Sequence, residues 1–210
     1  MNITQNSTGP TKDTPEHYKV LLELGACHIS MGNYKEAQRC YEESVSLGAD
    51  GPQLYLGLGT VALGRELFEE AEVAFKVAIR LDKNCAEAFC GLAIIHQQKH
   101  DFAEAQQMYA KCLELNNDNL TALSGLFQAS RQLGFFSKAK HYLEVYLKNH
   151  PSDAKVMFCL ATLYVKDDQL NEAEKVLSDV LISEPAFVDA ANLLEEVEHQ
   201  LVAEKYQKNA

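Results

Sequence analysis

The stretch from Tyr55 to Ala78 reads YLGLGTVALGRELFEEAEVAFKVA. Its apolar residues recur three and four apart, the period at which a helix buries one face. Tyr55, Leu58, Gly59 and Ala62 form one such stripe, and Phe68, Ala71, Phe75 and Ala78 form a second. Two short helices in tandem are the local expectation.

The same pattern recurs along the chain. Aligned on itself at a period of 34, the sequence brings Leu24, Leu58, Leu92, Leu126 and Leu160 into one column. A second column holds Ala37, Ala71, Ala105, Ala139 and Ala173, and a third holds Tyr34, Phe68, Phe102, Phe136 and Leu170. A fourth reads Tyr41, Phe75, Tyr109, Leu143 and Leu177. Five copies in register without an insertion identify a repeat architecture. Met31-Gly32-Asn33, Lys99-His100-Asp101 and Leu133-Gly134-Phe135 supply turn chemistry between the two helices of a copy. Asp50, Asn84, Asp118 and Ser152 are expected to cap the helix that opens the next copy. Pro52, Pro151 and Pro185 fall at the ends or starts of helices.

The alanine column lets the two helices of a copy approach closely, while the aromatic columns fill the space beside it. A single helix pair cannot bury its own stripe, so copies must stack. The expected fold is all-α: a right-handed superhelical solenoid of five 34-residue helix-turn-helix repeats with a C-terminal capping helix. The domain reading is a disordered polar tail over 1–14 and repeats over 15–187, followed by the cap over 188–210. The copies run 18–51, 52–85, 86–119, 120–153 and 154–187. In the cap, Val188, Ala191, Leu194, Val197 and Leu201 are expected to face the last open surface.

These columns resemble the tetratricopeptide repeat family, over Pro15 to about Gln207. Leu24-Gly25 and Leu58-Gly59 match the family signature, whereas copy four departs from it. There Phe127 takes a small-residue place and Tyr146 replaces the later alanine, bulk that should open the local helix packing or shift the solenoid curvature. The resemblance implies a concave groove, lined by the first helix of each copy, that receives a peptide or protein segment. By position, copy one contributes Lys19, Leu22, Ala26 and Ile29, and copy two Gln53, Leu56, Thr60 and Leu63. Copy three contributes Glu87, Cys90, Ile94 and Gln97, and copy four Ser124, Gln128 and Arg131. Copy five contributes Lys155, Phe158, Thr162, Val165 and Lys166.

Leu22, Ala26, Ile29, Leu56, Leu63, Cys90 and Ile94 would form an apolar strip open to water, the mark of an interaction surface. Basic residues outnumber acidic ones at these positions, so an apolar segment with some acidic residues is the expected occupant. The rival reading is that the N-terminal tail, a second subunit or a different helix packing covers the strip. The lysine and asparagine clamp of chaperone-tail binders is missing, because Leu22, Ala26, Leu56, Thr60 and Gly91 hold its places.

The net charge of -11 opposes binding to nucleic acid or to an anionic membrane. No apolar run is long enough to span a bilayer, so membrane insertion is not expected. Met1 to Thr14 lacks the basic start and apolar stretch of a secretory signal. With six scattered cysteines and no CxxC pair, this indicates free thiols in the cytoplasm.

His96 and His100 stand four apart, as two metal ligands would, but Gln97 occupies the place of a metalloprotease's glutamate. Gly57 and Gly59 lie inside a helical pattern and cannot form a phosphate-cradling loop. The expectation is therefore a protein-binding adaptor without cofactor, metal or catalytic residues. The rival readings are a secretion-type chaperone for a client protein and a structural homo-oligomer that assembles through its last helix.

Overall fold

The computed structural model describes the backbone of residues 15–208; residues 1–14, assigned above to a tail, lie outside the described residues. Every described element is an α-helix. The chain divides between Lys99 and His100 into two compact units, a division that falls within the third copy.

The first unit contains α1 (Pro15–Ser30), α2 (Tyr34–Ser46), α3 (Pro52–Gly64), α4 (Phe68–Leu81) and α5 (Ala86–Gln98). Helices α1 and α2 pack closely, as do α3 and α4, and each pair then meets the next first helix. Ala37 and Ala71 are fully buried, so the alanine column does sit where two helices meet. The leucine column behaves differently at its start. Leu92 is buried, but Leu24 is 44% exposed, and Val20, Cys27 and Met31 on the same face of α1 are also exposed. In the next copy Leu54 and Val61, one repeat after Val20 and Cys27, are buried against the preceding helix pair. No described helix precedes α1, so its equivalent face is open.

The second unit contains α6 (Phe102–Leu115), α7 (Leu120–Leu133), α8 (Ser137–Asn149), α9 (Ala154–Lys166), α10 (Leu170–Ser183) and α11 (Val188–Lys208). Copy four is opened, as the bulk of Phe127 and Tyr146 implied: α7 and α8 meet over little of their length, while α6 and α7 pack closely. Its turn differs too. In the other copies the second helix begins at Tyr34, Phe68, Phe102 and Leu170, whereas α8 begins one place later, at Ser137. Helix α11 covers α10 with Ala190, Val197 and Leu201 buried and Leu193 and Leu194 half-buried. Val188 and Ala191 are exposed, which corrects the expected stripe; the buried positions are the equivalents, one repeat on, of Val156, Leu163 and Asp167.

The caps also shift by one residue. Asn119 Oδ1 accepts from Ala122 N–H at 2.9 Å and Asp153 Oδ1 from Val156 N–H at 3.1 Å. Gly51 and Cys85 hold the equivalent places without a side-chain cap, so Asp50, Asn84, Asp118 and Ser152 each stand one position too early.

Candidate partner-binding groove

Two of the recurrent columns determine how deep the groove between successive first helices is cut. The tip of the Tyr41 ring lies between the backbones of α1 and α3. A Cβ on Gly25 would stand 2.7 Å from Tyr41 Cζ, and one on Gly57 2.3 Å from the same atom. Phe75 is held in the same way, with 2.7 Å to a Cβ on Gly59 and 2.4 Å to one on Gly91. Tyr109 meets Gly125 at 2.1 Å. Each aromatic is thus paired, at a constant offset of 16, with a glycine that admits its ring: Tyr41 with Gly57, Phe75 with Gly91 and Tyr109 with Gly125. A methyl group at any of these glycines would meet the ring well inside van der Waals contact.

Above Tyr41 a cavity of about 650 Å³ opens between α1, α3 and the loop before α3. Lys19, Leu22, Ala26, Ile29, Gln53, Leu56 and Thr60, all assigned to the groove by column position, line it together. Tyr18, Glu23, Tyr41, Ala49, Asp50, Gly51 and Gly57, which the columns did not assign to the groove, complete the lining. The offset that pairs Tyr41 with Gly57 recurs in the next two copies, but it acquires its meaning as a floor only once the two helices are placed. Thr60 Oγ1 donates to its own helix at Leu56 O, 2.8 Å away, so that donor is already used. The charged lining is Lys19 against Glu23 and Asp50. The excess of basic residues seen along the columns therefore does not hold in this cavity, where two carboxylates face one ammonium.

Leu63, Glu87, Cys90, Ile94 and Gln97 lie off this cavity. Cys90 is only 6% exposed, which removes it from the open apolar strip. Its short side chain neighbours Gly91, whose backbone is drawn against the Phe75 ring, so it lies below the surface.

In the second unit Arg131, Phe158 and Thr162 line a cavity of about 450 Å³ with Phe127 and Cys159. The Arg131 guanidinium lies 5.6 Å from the Phe127 ring centre. The remaining wall comes from α11, through Asp189, Asn192, Leu193 and Glu196. Asp189, Asn192 and Glu196 stand one full repeat after Lys155, Phe158 and Thr162, so α11 carries groove positions besides closing the array. Lys155 borders a separate cavity with Pro185 and Phe187, while Ser124, Gln128, Val165 and Lys166 line neither. Among the described residues no helix is long and apolar enough to cross a membrane.

A second set of contacts holds neighbouring copies in register. Arg65 donates to Gln38, Lys99 Nζ lies 2.9 Å from Glu72 Oε2, and Lys140 bonds Asp167 and Gln169. Gln38, Glu72 and Lys140 share one column, and Arg65, Lys99 and Asp167 each follow 27 residues later. In copy three the corresponding place beyond Gln106 holds Leu133, which cannot serve. Gln106 donates instead to Ser130 Oγ at 3.0 Å and to the Phe135 carbonyl at 3.3 Å, in largely buried surroundings.

Two tetratricopeptide repeat family models match the chain, one over residues 96–157 and one over residues 18–48. Among curated proteins, no sequence matches significantly. The crystal structure of MamA protein superposes with a TM-score of 0.65 at 19% identity, covering 84% of this chain and 96% of that one. YrrB, described as a TPR protein with an unusual peptide-binding site, gives 0.65 at 17% identity and covers 88% of this chain and 94% of its own. The pilF protein of Pseudomonas aeruginosa gives 0.66 at 15% identity, with 93% and 98% covered. At such identities the likeness is one of fold.

Proposed function

Because the chain is a tetratricopeptide repeat protein, a member of a family that in general binds protein or peptide partners, we propose that it is an adaptor whose groove grips a segment of another protein. One observation carries this reading: seven residues that the family resemblance assigns to the groove by repeat position line a single cavity of about 650 Å³. That volume lies within the range of pockets that enclose a ligand's side chains. Its surface is mostly apolar, with a few charged and polar groups, as in surfaces that hold an apolar anchor and orient what flanks it. The peptide-binding site named for YrrB, a protein of the same fold, adds support by analogy. Catalysis has no part in this reading, and no cofactor is required by it.

The test is a side-by-side capture with the native protein and a Leu56→Glu, Ile94→Glu variant. Both should give the same helical circular dichroism, since Leu56 and Ile94 are only half-buried. Loss of the captured partner by the variant alone is the expected result. Equal capture by both would move the binding surface away from the first helices and overturn the proposal.

A further inference from the structure

Tyr41 is 2% exposed, yet it lines the cavity between α1 and α3. Its hydroxyl lies against the α3 backbone, where a Cβ on Gly57 would stand 2.6 Å from the Oη atom. Because Tyr41 lines the cavity, its hydroxyl can donate to a group that enters there. Burial pushes the Tyr41 phenol up to about 12, so near neutrality it remains a donor. Phe75, which is clamped between Gly59 and Gly91 in the same way, shows that the packing needs only the ring. The hydroxyl is an addition that the fold does not use.

Resting on the groove reading above, we infer that this cavity takes an aliphatic side chain from an uncharged or basic peptide segment, with a main-chain carbonyl of that segment accepting from Tyr41 Oη. Leu22, Ile29 and Leu56 supply the apolar wall for the side chain. Glu23 and Asp50, set against Lys19 alone, favour lysine or arginine beside it and disfavour glutamate. A neutral carbonyl suits a neutral phenol; a carboxylate would have to be desolvated next to two other carboxylates.

The test uses the full chain and synthetic peptides that share one aliphatic core and differ only in lysine, serine or glutamate flanks. Fluorescence anisotropy gives affinity, and amide chemical shifts give the site. The expected order is lysine over serine over glutamate, with shifts at Leu22, Leu56 and Thr60. Tyr41→Phe should weaken binding about five-fold, the size of one neutral hydrogen bond, without changing the fold. Exchanging Glu23→Lys and Asp50→Lys should reverse the order of flanks. Shifts at these residues with glutamate flanks preferred, or with Tyr41→Phe unaltered, would overturn this inference and leave the groove reading standing. If no peptide moves these amides, both readings fall.

Discussion

Leu24 and Leu126 occupy the same column, but Leu24 is 44% exposed and Leu126 fully buried. Truncation should therefore separate them: Leu126→Ala is expected to cost about 2–5 kcal/mol and Leu24→Ala less than about 1 kcal/mol, measured by urea denaturation. At Glu72 the discriminating variable is pH. Hydrogen bonds from Lys76 and then Lys99 hold its carboxyl well below the usual 4.5, at about 2. Its contribution is present above about pH 4.5 and lost as pH falls toward 2. With both lysine partners partly exposed, it amounts to about 0.5–1 kcal/mol. Glu72→Gln should lose less stability than the native protein across that window, and equal losses would show that the pairing is not felt. A third residue-scale feature is the left-handed turn position, which recurs once per copy at Gly32, Glu66, His100, Gly134 and Asp168. A side chain in that conformation is strained by roughly 1–2 kcal/mol, which a glycine avoids. Gly32→Ala should therefore lower the urea midpoint.

Helix spacing within copy four follows from an exchange of sizes. Where the first three copies have a small residue, an aromatic and a glycine, copy four has Phe127, Leu143 and Cys159. The ring has moved from the second helix to the first, and the glycine that would admit it has become a larger residue. Leu143→Phe alone should cost about 1–3 kcal/mol through overpacking. Combining it with Cys159→Gly should cost less than the sum of the two single changes, by about 0.5 kcal/mol or more in a double-mutant cycle. Additive costs would mean that these two side chains do not share a space. The sequence columns made the helices and most turns legible, because burial on one face imposes a local period. The opened α7–α8 pair was legible from Phe127. Other features were not, because they depend on pairs of columns. The aromatic-to-glycine offset and the polar offset between neighbouring copies emerge only when two helices are in place. Tyr41 is core, as its column implies, but its place in the cavity floor is not legible for that reason, and the groove positions of α11 are hidden because a closing helix is expected only to cover.

At the C-terminal end α11 buries Ala190, Val197 and Leu201 and leaves Glu195 and Glu198 exposed, the polar outer face a repeat array needs. Val197→Asp would place an unpaired charge in that seam and should cost several kcal/mol. In hydrogen exchange the α10 and α11 amides should lose protection first, because stability in such arrays is set between neighbours. Loss spread evenly over α6 to α11 would instead show a single cooperative block. The close approach of α6 to α7 also bears on how such a chain can be shortened or extended in evolution. A deletion ending at Asn119, on the boundary between copies three and four, would divide these two helices. Tyr109 would lose the Gly125 backbone, and Gln106 would lose both Ser130 and the Phe135 carbonyl. The unit that can be gained or lost here without injury is thus offset from the unit that repeats in the sequence. Lineages of this chain should vary in length at places that spare the α6–α7 seam.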